Sequence, residues 1–73
     1  MEGGVTMNKA QLVYANIDEQ GRFIEIIYGI NIIPEKPYRY FFMISAAIEI
    51  PMAITLAELE QWQNDYIATL DNE

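Results

Sequence analysis

The chain has 73 residues, a hydrophobic fraction of 52% and a formal net charge of −7, which arises from 4 basic and 11 acidic residues. It contains no cysteine and no histidine, which excludes disulfides and thiolate metal sites and removes the commonest zinc ligands, the commonest general base and the thiol nucleophile. The short length predicts one small domain, and so large an apolar fraction predicts that part of the apolar surface is buried at a subunit interface.

The charges are unevenly distributed along the chain. All basic residues precede Tyr40, and every charged residue after it is acidic. Direct binding to nucleic acid is therefore not expected, because phosphate contacts need Lys and Arg. The acidic half predicts either a solvated face or a surface for a basic partner, and its candidate residues are Glu58, Glu60, Asp65, Asp71 and Glu73.

The first nine residues are expected to form a disordered tail, followed by a single domain at 10–73. The residues before Met7 are what translation of a purine-rich ribosome-binding site would give if that site lay in frame upstream of the start codon. Met7 is therefore the expected native start. The alternative is a short native tail or a cloning remnant. The chain shows no signal peptide and no apolar run of the ~18 residues needed to span a membrane, so we expect a cytoplasmic protein.

Two apolar runs around a short turn predict a β-hairpin. The strands are expected at Ala10–Ile17 and Arg22–Ile30, with a turn at 18–21 in which Gly21 takes a positive φ. In the second strand, strict alternation places Phe23, Glu25 and Ile27 on one face. Glu25 is then expected to face solvent or to pair with Arg39 across the sheet.

A loop at Asn31–Pro37 is expected to lead into a third strand, Tyr38–Ile44, which is the densest aromatic run in the chain. Alternation predicts that Phe41 and Met43 lie on the outer side of this strand. The core side is expected to carry Tyr38, Tyr40, Phe42 and Ile44.

Ser45–Ile54 has no single interpretation: it continues the third strand, or bends near Ala46–Ala47 into a fourth extended piece. A helix at Phe41–Ile50, which Pro51 would end, is the third alternative. The next segment, from Thr55 to about Leu70, predicts an amphipathic helix. Thr55 and Glu58 have capping-box spacing, and Ile54 and Leu59 have the spacing of a hydrophobic staple.

The predicted fold is α+β, a three- to four-stranded antiparallel sheet with one C-terminal amphipathic helix packed on one face. The other sheet face is expected to associate with a second copy, either face to face or by strand addition along the third-strand edge. The alternative is that Ser45–Ile54 folds back and covers that face. Trp62 is expected to anchor the helix on the sheet, or else to anchor the interface. The candidate interface residues are Phe23, Ile27, Phe41, Met43 and Trp62.

No motif in the sequence indicates catalysis. Neither Asp18 with Glu19 nor Glu58 with Glu60 has the geometry of a carboxylate pair, and no phosphate-binding loop or metal cluster is present. We therefore expect a non-enzyme without a cofactor or metal, acting as a self-associating interaction module. The alternative is an acidic inhibitor that mimics nucleic acid and occupies a basic groove on another protein.

The stretch Val13–Phe42 contains Tyr-Ala-Asn-Ile-Asp-Glu-Gln-Gly-Arg-Phe and later Ile-Ile-Pro-Glu-Lys-Pro-Tyr. This stretch resembles short open reading frames of prophages in Gram-positive bacteria, some of which lie near tail genes. The resemblance implies a phage-encoded structural or accessory protein, which would be virion-associated if it is not cytoplasmic. It implies no particular functional residue.

Overall fold

The computed structural model describes residues 9–71, with the side chain of Asp71 left out. Three strands, β1 (Ala10–Ile17), β2 (Phe23–Gly29) and β3 (Tyr40–Ser45), precede one helix, α1 (Leu56–Asp71). The strands form an antiparallel sheet in the order β2-β1-β3, and α1 packs against β3. The predicted small α+β fold is confirmed, with three strands in the described residues. The expected tail at 1–9, apart from Lys9, lies outside those residues.

The β1–β2 hairpin closes as its turn residues predict. Gly21 has a φ of 84°, the left-handed conformation that glycine adopts without strain. Asp18 Oδ1 accepts hydrogen bonds from the backbone N–H groups of Gln20 and Arg22, both at 2.9 Å. The Asp18 side chain thus holds the turn from inside, as is typical of Asx turns.

A β-bulge near the start of β2 reverses the expected alternation of its side chains. Asn16 pairs with Glu25, but the next residue, Ile17, pairs with Phe23, so Ile24 is an extra residue on β2. Phe23 therefore shares a face with Ile17 and packs against the hydrophobic core. The prediction that Phe23 lies on the outer face beside Ile27 is wrong, because simple alternation cannot anticipate a bulge.

One face of the sheet carries the hydrophobic core, and the crossover between β2 and β3 passes over the other. We call the side that carries Val13, Ala15, Phe42 and Ile44, all buried, the core face. We call the opposite side the second face; it carries Leu12, Tyr14, Ile27, Phe41 and Met43, as the strand register requires.

Residues 30–39 form a crossover rather than a simple loop. Both β2 and β3 are antiparallel to β1, so they run in the same direction, and their connection must return from one end of the sheet to the other. It returns across the second face: Lys36 forms an ion pair with Glu25, and the ring of Tyr38 lies 6.1 Å from that of Tyr14. Glu25 therefore pairs with Lys36 and not with Arg39.

The crossover also corrects the predicted start of the third strand. β3 begins at Tyr40, two residues later than expected, and Tyr38 contacts Tyr14 on the second face instead of joining the core. Tyr40, Phe42 and Ile44 lie on the core side as predicted. The difference arises because Tyr38 still belongs to the chain that crosses the sheet.

The segment after β3 turns at Ala46–Ala47 and packs on the core face. Gln11 Nε2 donates a hydrogen bond to the carbonyl of Ile48 at 2.8 Å, and Ile54 is buried in the core. The predicted bend is confirmed, but the segment is neither a fourth strand nor a helix. It also does not cover the second face, because its isoleucines complete the core instead.

Helix α1 starts at the predicted capping box. The Thr55 N–H donates to Glu58 Oε1 at 3.1 Å, and the Glu58 N–H donates to Thr55 Oγ1 at 3.2 Å. Ile54 and Leu59 belong to the same core cluster, as the staple spacing predicts. Within residues 9–71, no helix has the length and apolar character needed to cross a membrane.

Candidate interaction surface

Much of the apolar material lies outside the core. In the described residues, seven hydrophobic residues are buried, whereas eight large hydrophobic side chains are at least 42% exposed. A monomeric protein of this size normally scatters such side chains or covers them. The exposed set comprises Ile24, Tyr28, Ile30, Ile33, Phe41, Met52, Ile67 and Leu70.

An aromatic cluster of Tyr14, Tyr38 and Phe41 lies on the second face. The centroids of the Tyr14 and Phe41 rings are 5.0 Å apart, because these residues are directly opposite each other in the β1–β3 pairing. The crossover brings the Tyr38 ring centroid to 6.1 Å from that of Tyr14. Phe41 remains 48% exposed, so the cluster presents an open aromatic surface that the sheet holds in place.

The structure separates the five predicted interface residues into two groups. Ile27, Phe41 and Met43 lie on the second face, with Ile27 and Phe41 on either side of Tyr14 in the pairing of the sheet. Phe23 and Trp62 instead pack against the core cluster. The interpretation of Trp62 as the anchor of the helix on the sheet agrees with this position.

The two edges of the sheet differ in accessibility. At the β3 edge, Gln63 of α1 accepts a hydrogen bond from the Met43 N–H through its Oε1 at 3.2 Å, so the helix occupies the edge where strand addition was expected. At the β2 edge, β1 is the only strand or helix of the described chain that packs against β2. Sequence reasoning missed this open edge because it did not determine the strand order.

The predicted acidic surface does not form one site. Glu60 and Asp65 are exposed on α1, and Asp65 Oδ1 accepts a hydrogen bond from Gln61 Nε2 at 3.0 Å. The Glu58 carboxylate is engaged in the helix cap. The side chain of Asp71 and all of Glu73 lie outside the described residues.

The ion pair between Lys36 and Glu25 on the second face neutralises the one charged residue of β2. The hydrogen bond from Lys36 lowers the pKa of Glu25 below its ordinary value, and Glu25 raises the pKa of Lys36. Both groups are therefore charged at neutral pH, and their charges cancel locally.

The described part of the chain contains no group of three or more Asp, Glu, His or Cys residues that could hold a metal ion. A pocket of about 150 Å³ lies between α1 and the end of β3 and is lined by Ile48, Trp62 and Tyr66.

Comparison of the chain with protein-family models, curated proteins and solved structures found no match. The exposed apolar side chains are the feature of the described residues that points to a function.

Proposed function

We propose that this chain is a small, non-catalytic protein-interaction module that self-associates in the cytoplasm and serves as a structural or accessory protein encoded by a phage. The observation that carries the self-association is that eight large hydrophobic side chains of the described residues are at least 42% exposed. The resemblance of Val13–Phe42 to prophage reading frames supports the phage-encoded role.

The energetic argument concerns where those side chains lie. Burying one side chain of this kind fully is worth roughly 1.5–3 kcal/mol, and the whole stability of a domain is only about 5–15 kcal/mol. Phe41, Ile24 and Tyr28 are about half exposed or more and are attached to the sheet, so they gain burial without being ordered first. Association through positions that the sheet already holds adds little conformational entropy cost to the loss of translational and rotational freedom.

The test is the solution mass of the full chain, measured by light scattering on a sizing column at about 0.05 M and about 1 M salt. We expect a dimer or larger species at both salt concentrations, because apolar association does not weaken with ionic strength. A monomer at both concentrations, with the protein near millimolar concentration, would contradict self-association.

A second function, charge mimicry of nucleic acid, is supported by α1, which exposes Glu60 and Asp65 and has no basic residue in its last turn. Binding of this kind to a basic protein weakens steeply as salt rises. A salt-insensitive oligomer with no affinity for basic proteins would favour the interaction module. Salt-sensitive capture of a basic protein by a monomer, lost in the double variant Glu60→Gln, Asp65→Asn, would favour the inhibitor.

A further inference from the structure

Within residues 9–71, no strand pairs with the outer side of β2. The Lys9 carbonyl accepts a hydrogen bond from the Ala46 N–H at 3.0 Å, which shows that odd-numbered residues of β1 direct their backbone groups towards β3. Even-numbered residues of β1 therefore bond to β2, through the pairs of Leu12 with Gly29 and Tyr14 with Ile27. It follows that Ile26 and Tyr28 direct their N–H and C=O groups away from the sheet.

Beyond the bulge at Ile24, which lies at the start of β2, the stretch 26–29 lacks the features that keep edge strands from pairing. Monomeric proteins usually place proline, lysine or an unpaired charge on an exposed edge. β2 contains neither proline nor lysine, and its one charged residue, Glu25, is neutralised by Lys36. Ile24 is 63% exposed and Tyr28 is 42% exposed, so the edge is also apolar.

We infer that β2 pairs antiparallel with β2 of a second copy about a two-fold axis, which joins two three-stranded sheets into one continuous six-stranded sheet. The inference rests on the proposed self-association and specifies its surface. Centring the pairing on Ile26 brings the outward backbone groups of both strands opposite each other.

The self-complementary pairing identifies a second copy as the partner, and the charge distribution permits it at this edge. Two chains of net charge −7 repel each other, so they associate best where local charge is lowest. The exposed acids Glu60 and Asp65 lie on α1, which packs on β3 at the opposite side of the sheet from β2. In the pairing centred on Ile26, Glu25 lies opposite Ile27 of the second copy, so like charges are not directly opposed.

The competing mode is face-to-face packing through the aromatic cluster, and three lysine variants of the full chain distinguish the two. Tyr28→Lys places a charge on the β2 edge, and Phe41→Lys places one on the second face. Ile67→Lys is the matched control, since Ile67 on α1 has the same 42% exposure as Tyr28. Circular dichroism establishes that each variant is folded, and sedimentation equilibrium gives its dimer dissociation constant.

We expect Tyr28→Lys to weaken the dimer about tenfold or more, because a two-fold axis makes each substitution act twice. Ile67→Lys and Phe41→Lys should leave the dissociation constant within about threefold of the original chain. A dimer that Phe41→Lys disrupts and Tyr28→Lys leaves intact would overturn the edge pairing while upholding self-association. A monomeric original chain would overturn both.

Amide hydrogen exchange of the unsubstituted chain tests the same inference without a mutation. The amides of Ile26 and Tyr28 should exchange slowly at high protein concentration and fast on dilution, because only the second copy protects them. The amide of Ile27, which bonds to β1, is the internal reference. Fast exchange of Ile26 and Tyr28 in a solution shown to be dimeric would exclude pairing through this edge.

Discussion

Replacing Leu59 by alanine tests whether α1 completes the core. Leu59 is fully buried and belongs to a core cluster with Val13, Phe42, Ile44 and Ile54. Truncating a buried leucine to alanine typically costs 2–5 kcal/mol, because the removed methyl groups leave a cavity. For a domain of 73 residues, the whole stability is about 4–11 kcal/mol, so the substitution should remove a large part of it.

Urea unfolding at fixed protein concentration, followed by the fluorescence of the single tryptophan, measures this loss. We expect the midpoint for Leu59→Ala to fall by at least about 1 M, because the m-value of a small domain in urea is about 1–2 kcal/mol/M. Leu70→Ala is the matched control, since it makes the same change in the same helix at a position that is 47% exposed, and it should cost less than about 1 kcal/mol. Equal losses for the two variants would refute the placement of Leu59 in the core.

Three further predictions concern local structure. Thr55→Ala removes one partner of the capping box and should cost about 1 kcal/mol in urea unfolding, with an unchanged midpoint contradicting the cap. Gly21→Ala should cost about 1–2 kcal/mol because of the φ of 84°; a stabilised variant would show that the turn adapts. The hydrogen bond from the Arg22 backbone N–H holds the pKa of Asp18 below its ordinary value. The ionised Asp18 side chain therefore stabilises the fold at neutral pH, and this stabilisation is lost as the pH falls through the lowered pKa. Asp18→Asn should therefore show a smaller loss of stability below about pH 4 than the original chain, and an identical acid profile would argue against this role.

The features that the sequence predicted well are those whose partners are close along the chain. The cap joins Thr55 to Glu58, and the hairpin turn joins Asp18 to Arg22, so residue type and spacing determine the contact. The apolar stripe of α1 is equally local, because helical periodicity places Leu59 and Tyr66 on one side.

The features that the sequence did not predict depend on partners far along the chain. The bulge at Ile24 exists only because β1 pairs with β2 in a shifted register, and it moves Phe23 into the core. The position of Tyr38 depends on the direction of β3 relative to β2, which fixes the path of the crossover. Gln63, a polar residue on a helix, gave no indication that it would bind the Met43 N–H at the sheet edge. Consequently the sequence predicts strand addition at the third-strand edge, whereas the structure leaves the β2 edge open.

The placement of the core has a consequence for folding during synthesis. The hairpin needs only contacts that are close in sequence, so it can form early, while the core face still lacks its cover. Three of the seven buried hydrophobic residues, Ile54, Leu59 and Tyr66, come after Pro51. Until α1 has left the ribosome, Val13, Phe42 and Ile44 face solvent on a sheet that already has open edges. The nascent chain therefore passes through an interval in which chaperone binding and premature strand pairing compete with folding.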